Sequence, residues 1–491
     1  MAPTGDCGVR ETHVSILVFL GDRVLKLHKP LRFDFADFST PSARAEDCRR
    51  EVELNRRLAP DVYLGVAEVT MEGKTLEHCV VMRRMPAESS LAQLVSSEPE
   101  SVWDPKLRTV ADTLVRFHTG ADRSDVISNV ASIERVTGQF EANVTATARF
   151  VGTVLESSAH DKVVRGVRRY LAGRGPLFSA RIAAGQICDG HGDLQASDIY
   201  CLDDGPRILD CLEFDDELRY GDVAADVAFL AMDLERLGAP SAAERFVWHY
   251  EESAGAQLPS SLLHLYVALR AYVRVKVACL RHEQGDPLAA PEAAKLLALA
   301  QTHLEHARVR LVLVGGLPGS GKSTLASALG AALDAIVLRT DEIRQHLSPP
   351  EARGLAAPAF RSGRYTRERT QEVYDVMIDD ARVQLGLGRS AVLDASWIDS
   401  SHRDQARSLA DECGADAIEL CCTAPADVTE QRITKRLQNG TDPSEATVEV
   451  ARAMARIEAP WTSSTVIDTA RDPELVVAEA LRIFSEDAKW S

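Results

Sequence analysis

A short segment in the second half of the chain has the residue types and spacing that bind nucleotide phosphates. It reads Gly316-Leu317-Pro318-Gly319-Ser320-Gly321-Lys322-Ser323, with Thr324 after it, and fits the pattern G-x-x-x-x-G-K-[ST]. Glycines in this pattern let successive backbone N–H groups surround the phosphates, and the N-terminus of the following helix adds its dipole. We expect Lys322 to reach the β- and γ-phosphates and Ser323 to bind Mg²⁺. The segment predicts a site for ATP.

Two aspartates could complete a phosphate-transfer site around this segment. Asp394 ends the apolar run Val392-Leu393-Asp394, a position from which a carboxylate can hold Mg²⁺ or its waters. Asp341 lies at the end of another predicted strand and the start of a helix, facing the edge where ligands of doubly wound sheets bind. Asp341 could therefore accept the proton of a hydroxyl group. In each case the alternative is a structural role, as a helix cap or a loop residue.

Two arginines, Arg432 and Arg436, could act on the transferring phosphoryl group. They lie four residues apart, which places them on one face of a predicted helix. If they close over the phosphoryl group, their charges would raise the transfer rate by several orders of magnitude. Solvated salt bridges are the alternative.

The first half of the chain contains a second set of residues suited to phosphoryl transfer. Such a reaction needs one carboxylate at the acceptor hydroxyl and others that hold Mg²⁺ on the nucleotide. Asp193, in the segment His191-Gly192-Asp193-Leu194, suits the first role, and Asp210, at the end of a predicted strand, suits the second. Lys26 on an early strand and Glu51 on the next helix have the spacing of a lysine–glutamate pair that fixes phosphates.

Hydrophobic periodicity predicts the elements that would position Lys26 and Glu51. Apolar, β-branched runs separated by turn residues indicate hairpins, and a Thr-Pro pair indicates a helix start. The predicted order is a hairpin at 14–20 and 23–28 around Gly21-Asp22, a helix from Thr40-Pro41 to Pro60, and a second hairpin at 66–82 around Glu72-Gly73.

The rest of the chain divides into a mostly helical part and a part in which strands and helices alternate. From about 88 to 307 the pattern is helical, clearest at 105–118, with two short strands around 199–211. After an apolar strand at 309–315, strands near residues 335, 391, 416 and 464 alternate with helices, which is typical of a parallel α/β domain. We therefore predict two domains, at 1–300 and 308–491.

Composition limits the classes of partner and compartment. The 73 acidic and 56 basic residues give a net charge of −17, which argues against nucleic acid and anionic membranes as partners. Residues 1–20 lack the basic start and apolar run of a signal peptide, and no segment has the 18 or so apolar residues that span a bilayer. The ten cysteines form no C-x-x-C pair, so we expect reduced thiols in a cytoplasmic protein.

Residues 308–491 resemble the small-metabolite P-loop kinases, the group of gluconate-, shikimate- and polynucleotide 5′-kinase-like folds. The resemblance rests on the phosphate-binding segment together with Asp341, Arg432 and Arg436. It implies that Asp341 contacts the acceptor hydroxyl and that the two arginines form a lid.

Residues of about 10–285 resemble the aminoglycoside phosphotransferases and the related sugar and choline kinases, which have a protein-kinase-like α+β fold. A bacterial family that fuses this domain to a P-loop kinase domain is the more particular resemblance. It implies that Asp226 anchors the catalytic loop through the loop backbone. The segments that carry the resemblance are ETHVS at 11–15, VLKLHKP at 24–30, EVELNRRLAPDVYLGV at 51–66, HGDL at 191–194 and ILDCLEFDDELRYGDVAADVAFLAMDLE at 208–235.

The chain departs from this resemblance at two catalytic-loop positions. The usual pattern is H-G-D-x-H-x-x-N, whereas this chain has Gln195 in place of the histidine and Asp198 in place of the metal-binding asparagine. Because a carboxylate also binds Mg²⁺, we expect Asp198 to hold the ion together with Asp210. A catalytically degenerate site is the alternative.

These residues lead to one main hypothesis and two rivals. The main hypothesis is an ATP- and Mg²⁺-dependent phosphotransferase with two kinase-type domains, which phosphorylates a hydroxyl of a small polar metabolite such as a sugar or aminosugar. The acidic run Glu213, Asp215, Asp216 and Glu217 could attract an amine-bearing sugar, or it could be a solvated loop. The rivals are a P-loop kinase regulated by a degenerate kinase-like domain, and a nucleic-acid 5′-end kinase.

Overall fold

The computed structural model describes residues 7–11, 14–31, 38–72, 74–348, 366–439, 444, 446–457 and 459–486. The chain divides into two compact units. The first unit comprises Met1–His160 and Phe178–His303, and the second comprises Asp161–Leu177 and Leu304–Ser491.

The segment Asp161–Leu177 groups with the second unit, whereas the predicted bounds assigned it to the first domain. Long-range hydrogen bonds explain the grouping. Arg174 Nη1 donates to the carbonyl of Cys413 at 2.7 Å, and Arg169 Nη2 donates to the carbonyl of Ala415 at 2.8 Å. No local sequence pattern reports contacts between residues this far apart.

The first unit begins with a five-stranded antiparallel sheet in the order β1-β2-β3-β5-β4. Both predicted hairpins are present, although Gly73 lies outside the described residues. The first strand was not predicted, because it is short and mixes polar with apolar residues. The strands are β1 (Cys7–Glu11), β2 (Ser15–Leu20), β3 (Arg23–His28), β4 (Tyr63–Met71) and β5 (Lys74–Arg83).

Helix α1 (Pro41–Asn55) packs on this sheet. It starts where Thr40-Pro41 predicted, since the Thr40 side chain accepts a hydrogen bond from the Ala43 N–H at 3.2 Å. Val52 of the helix and Val80 of the sheet share one apolar cluster. The helix thereby directs Glu51 toward the strand that carries Lys26.

A mostly helical part follows in the chain, interrupted by two small two-stranded sheets. Its helices are α2 (Leu91–Ser97), α3 (Glu100–Gly120), α4 (Asp125–Val130), α5 (Ile133–Thr147), α6 (Ser157–Ala172), α7 (Gly175–Ala183), α8 (Asp216–Arg219), α9 (Val223–Arg236), α10 (Pro240–Ala254), α11 (Ser260–Glu283) and α12 (Ala289–His306). The predicted strands around 199–211 are β7 (Ile199–Leu202) and β8 (Gly205–Ile208), which pair with each other. The pair β6 (Ile187–Asp189) and β9 (Tyr220–Asp222) was not predicted, because three residues carry too little periodicity.

The second unit is built on a five-stranded parallel sheet in the order β11-β12-β10-β13-β14. All five predicted strands are present. They are β10 (Arg310–Gly315), β11 (Ile336–Arg339), β12 (Ala391–Asp394), β13 (Asp416–Thr423) and β14 (Thr465–Asp468). The helices are α13 (Lys322–Ala332), α14 (Thr340–Leu347), α15 (Arg367–Gly386), α16 (Ser400–Glu412), α17 (Ala426–Asn439), α18 (Val448–Ala455) and α19 (Pro473–Glu486).

The predicted fold class, an α+β unit and an α/β unit with a parallel sheet, is confirmed. None of the described helices combines the length and the apolar character that crossing a bilayer requires. The cysteines with described side chains carry free thiols, and all of them except half-buried Cys421 are buried.

Candidate functional site

In the first unit, the ammonium group of Lys26 joins two carboxylates. Its Nζ donates to Glu51 Oε1 at 2.9 Å and to Asp210 Oδ1 at 2.8 Å. Glu51 is fully buried, whereas the Asp210 side chain is about half exposed. Although burial favours the neutral amine, the charges of Asp210 and then Glu51 raise the pKa of Lys26 well above its usual value. The structure therefore brings together three of the residues that the sequence singled out, around a permanent positive charge.

The backbone around Asp210 fixes the direction of its carboxylate. Asp210 has a φ of 60°, in the left-handed region that a residue other than glycine adopts at a cost of about 1–3 kcal/mol. Its N–H donates to the Tyr63 hydroxyl at 3.1 Å, and the next N–H, of Cys211, donates to Asn55 Oδ1 at 2.8 Å. The Lys26 charge lowers the pKa of Asp210, so this carboxylate is ionised.

Asp226 of α9 holds the loop that carries Asp193, as the resemblance implied. Its Oδ2 accepts the His191 N–H at 2.7 Å and its Oδ1 accepts the Gly192 N–H at 3.0 Å. His118 Nε2 lies 3.2 Å from the same carboxylate. Although burial favours the neutral acid, the hydrogen bond and the charge at His118 hold the pKa of Asp226 well below its usual range. A buried, ionised hub thus fixes the loop that carries Asp193.

The charges of Asp193, Asp198 and Asp210 act on one another. Burial raises the pKa of Asp193 to about 6, and Gln195 Nε2 donates to its Oδ2 at 2.9 Å. Burial, together with the charges of Asp210 and Asp193, raises the pKa of Asp198 to about 8. Crowded carboxylate oxygens are the ligands that Mg²⁺ prefers, and a cation among them would relieve their repulsion. The role of Asp198 and Asp210 as metal ligands stays a prediction.

Sequence reasoning missed a second support of the same loop. Asp233 is fully buried, and its Oδ2 accepts the Ala196 N–H at 2.9 Å. Asp226 and Asp233 lie seven residues apart on one face of α9, a helix whose other buried residues are apolar. Two acids at a helical spacing within an apolar run were the signal that could have identified both supports.

In the second unit, glycines shape the phosphate-binding loop between β10 and α13. Gly316 and Gly319 have φ values of 132° and 82°. A Cβ atom at Gly316 would lie 2.4 Å from the Cys422 carbonyl oxygen, and one at Gly319 would lie 2.6 Å from the Thr429 carbonyl oxygen. Because backbone atoms occupy that space, only glycine fits. Lys322 then starts α13 directly after the loop, which leaves N–H groups available to phosphates.

Asp394 ends β12 level with Val314 of β10, at the carboxyl edge of the sheet. It is buried; its Oδ2 accepts a hydrogen bond from Arg339 Nε at 3.2 Å, and its Oδ1 has no hydrogen-bond partner among the described residues. Ser320 Oγ is likewise buried without such a partner. An unpaired buried carboxylate oxygen fits Mg²⁺ or its waters, and Ser323 is the neighbouring ligand that the loop pattern supplies.

Asp341 lies in α14 and lines the same cavity as Lys322. The cavity has a volume of about 440 Å³ and contains polar and aromatic side chains, among them Arg344, Tyr374 and His402. Asp341 Oδ1 accepts a hydrogen bond from Arg344 Nη1 at 2.7 Å, and no side chain caps the start of α14. Asp341 is therefore not a helix cap.

The Arg432 and Arg436 side chains on α17 bind backbone oxygens rather than carboxylates. Arg432 Nη2 donates to the Thr469 carbonyl at 2.7 Å, and Nη1 lies 3.4 Å from the Gly319 carbonyl of the phosphate-binding loop. Arg436 Nη2 donates to the Ala446 carbonyl at 2.6 Å. Neither arginine forms an ion pair among the described residues. Arg432 therefore lies at the loop itself, and its action on a phosphoryl group stays a prediction.

Comparisons with known proteins identify close relatives and one matching family. The family described as "AAA domain" matches residues 311–460, which lie in the second unit. The uncharacterized protein Rv2004c of Mycobacterium tuberculosis (strain ATCC 25618 / H37Rv) is 40% identical over 477 residues, which cover 97% of this chain and 95% of that protein. The uncharacterized protein Mb2027c of Mycobacterium bovis gives the same values.

Solved structures similar to each part of the chain include two kinases. A choline/ethanolamine kinase family protein from Mesorhizobium loti has a TM-score of 0.39 and 15% identity, and the match covers 62% of this chain and 93% of that one. A gluconokinase from Sinorhizobium meliloti 1021 has a TM-score of 0.29 and 17% identity, with 37% and 94% covered.

Proposed function

This chain belongs to the family of the mycobacterial protein Rv2004c, and we propose that it is an ATP-dependent phosphotransferase with a separate site in each unit. Each site would transfer a phosphoryl group to a hydroxyl of a small polar metabolite. The observation that carries the proposal is the arrangement in the first unit, where Lys26 binds Glu51 and Asp210 beside the loop that holds Asp193. A phosphate-binding cation, a metal carboxylate and an acceptor-side carboxylate are the parts that phosphoryl transfer needs.

In the first site, Glu51 would hold Lys26 against the nucleotide phosphates. Asp198 and Asp210 would bind Mg²⁺, which when present neutralises phosphate charge. Asp193 has a pKa of about 6 because of burial, so it is ionised at neutral pH and able to accept the proton of a nearby hydroxyl. The suspended loop would keep that carboxylate in place during transfer.

In the second site, the phosphate-binding loop and Lys322 would hold the nucleotide, with Ser323 and Asp394 as the metal ligands. Asp341 lies in the cavity that Lys322 also lines, so an acceptor in this cavity would meet both the carboxylate and the phosphate end of the nucleotide. A volume of about 440 Å³ suits a small metabolite. Arg432, at the loop carbonyls, would stabilise charge that develops on the phosphoryl group.

One observation supports the rival in which the first unit is a regulator. Gln195 donates to Asp193, and therefore occupies part of the carboxylate that would accept the hydroxyl proton. In that case the first unit would bind a nucleotide and change the affinity of the second without chemistry of its own, through a coupling of about 1–3 kcal/mol.

ATP consumption by the full-length chain tests the proposal. The acceptors would be sugars, aminosugars, polyols and nucleosides. The variants would be Asp193→Asn, Lys322→Ala and the double variant that combines them. Asp203→Asn, at an exposed turn of the first unit, and Lys435→Ala, on the exposed face of α17, are matched controls. We expect each site variant to abolish transfer to one set of acceptors and the double variant to abolish all transfer. Unchanged transfer by the double variant would overturn the proposal.

A further inference from the structure

A cavity of about 90 Å³ in the first unit lies next to the catalytic loop. Glu217 and Leu218 of α8 line it, and the Leu218 carbonyl oxygen is so close to Gly192 that a Cβ atom there would be 3.0 Å away. Because Gly192 precedes Asp193, the cavity is within reach of an acceptor whose hydroxyl meets that carboxylate.

The two carboxylates that line this cavity are already neutralised. Glu217 forms an ion pair with Arg135. Asp222 accepts two hydrogen bonds from Arg181, with Nε at 2.8 Å from Oδ2 and Nη2 at 2.5 Å from Oδ1. These acids therefore offer little net charge to an amine.

Two more acids of the run also have partners. Asp216 pairs with Arg50 and Arg219, and Asp215 caps α8 through the Glu217 N–H. An amine-bearing acceptor would have to compete with these contacts at Asp215, Asp216 and Glu217.

Two cations of α11, unlike these acids, have no partner of opposite charge bound to them in the part of the chain that the structure describes. Arg270 lines the cavity and lies over the Phe229 ring at 5.1 Å, and Arg274 is one helical turn further along. Neither has an ion-pair or hydrogen-bond partner among the described residues. Burial raises the pKa of Asp193, and the charges of Arg274 and Arg270 lower it.

A third cation on the same helix has only a neutral partner. Lys276 Nζ donates to Asn143 Oδ1 at 2.7 Å, and Asn143 lines the cavity. By contrast, Arg281, nearer the end of α11, is neutralised by Asp286 and Glu292. A guanidinium group without an ion-pair or hydrogen-bond partner is a site at which an anion can bind.

We propose that the acceptor of the first site is an anionic hydroxyl compound, a sugar or polyol that carries a phosphate or carboxylate group, and that Arg270 and Arg274 bind this group. The inference rests on the proposed phosphotransfer at Asp193 and specifies its substrate class. The guanidinium groups would fix the anionic end and thereby place a hydroxyl of the same molecule at Asp193.

Calorimetry on the full-length chain tests the binding step, with saturating ADP and Mg²⁺ to fill the nucleotide sites. The probes are matched sets: glycerol with glycerol 3-phosphate, and glucose with glucosamine, gluconate and glucose 6-phosphate. We expect at least one anionic member to bind at least tenfold more tightly than its neutral or amine counterpart. The variant Arg270→Ala should weaken that binding about 10- to 100-fold, whereas Arg281→Ala on the same helix should leave it unchanged.

The outcomes separate this inference from the proposed function. Equal or tighter binding of the neutral or amine members, no binding of any anionic member, or equal losses in Arg270→Ala and Arg281→Ala would overturn the anionic class. Phosphoryl transfer to the bound acceptor is then measured with and without Asp193→Asn. Arg270-dependent binding without Asp193-dependent transfer would support the anionic class and contradict phosphotransfer at the first site.

Discussion

The two lysines proposed to bind phosphate have opposite surroundings. Lys26 donates to two carboxylates, one of them 184 residues away in the sequence. Lys322 lines an open cavity and has no hydrogen-bond or ion-pair partner among the described residues. The first site must share or exchange an internal ion pair when phosphates arrive, whereas the second has an uncompensated positive charge ready. We therefore expect tighter nucleotide binding in the second unit.

Of the variants, Asp193→Asn should show the largest loss of phosphoryl transfer. Loss of the acceptor-side carboxylate should reduce transfer at the first site about 10²- to 10⁴-fold, because the amide cannot accept the proton. Transfer at the second site should not change. Steady-state rates with an acceptor specific to each site measure both, with Asp203→Asn as the control. Equal rates for Asp193→Asn and the control would remove Asp193 from the chemistry.

Lys322→Ala tests the role of the lysine in the second site. Removing the Lys322 charge should reduce turnover at the second site about 10²- to 10³-fold. The loss should not be complete, because the loop N–H groups still bind the phosphates. First-site transfer should persist, and Lys435→Ala should behave like the unaltered chain. Normal second-site turnover in a variant with an unaltered circular dichroism spectrum would contradict the role of Lys322.

The loop that carries Asp193 and the phosphate-binding loop are also held by different means, the first by the Asp226 carboxylate and the second by the close backbone packing of its glycines. Asp226→Ala would leave the His191 and Gly192 N–H groups buried without an acceptor. We expect unfolding of the first unit to become easier by about 3 kcal/mol, with nucleotide binding at Lys322 retained. Chemical denaturation followed by circular dichroism measures the loss. A change no larger than that of Asp203→Ala would mean that the hub does not hold the loop.

The smallest predicted effect concerns Asp198, the residue that departs from the usual asparagine. Asp198→Asn keeps an oxygen ligand and should change first-site transfer only slightly. Asp198→Ala should raise the Mg²⁺ concentration needed for half-maximal transfer about 10- to 100-fold. A Mg²⁺ titration of both variants measures this difference, and superimposable titrations would exclude Asp198 as a ligand.

Sequence reasoning succeeded where the signal is local. The P-loop, the two hairpins and the five parallel strands each depend on residues within one short segment. It could not reveal the contact of Lys26 with Asp210, because the two residues meet only when a distant strand end folds onto the sheet. Sequence reasoning also could not show that Arg270 has no ion-pair partner among the described residues, because this depends on how the surrounding charges pair with one another in the fold.

We propose that each unit binds its own nucleotide. Titration calorimetry of the full-length chain with a non-hydrolysable ATP analogue and Mg²⁺ counts the binding sites. We expect two nucleotides per chain, and one remaining, weaker site in Lys322→Ala, with Lys435→Ala still binding two. A single site in the unaltered chain, lost altogether in Lys322→Ala, would contradict the claim and assign nucleotide binding to the second unit alone.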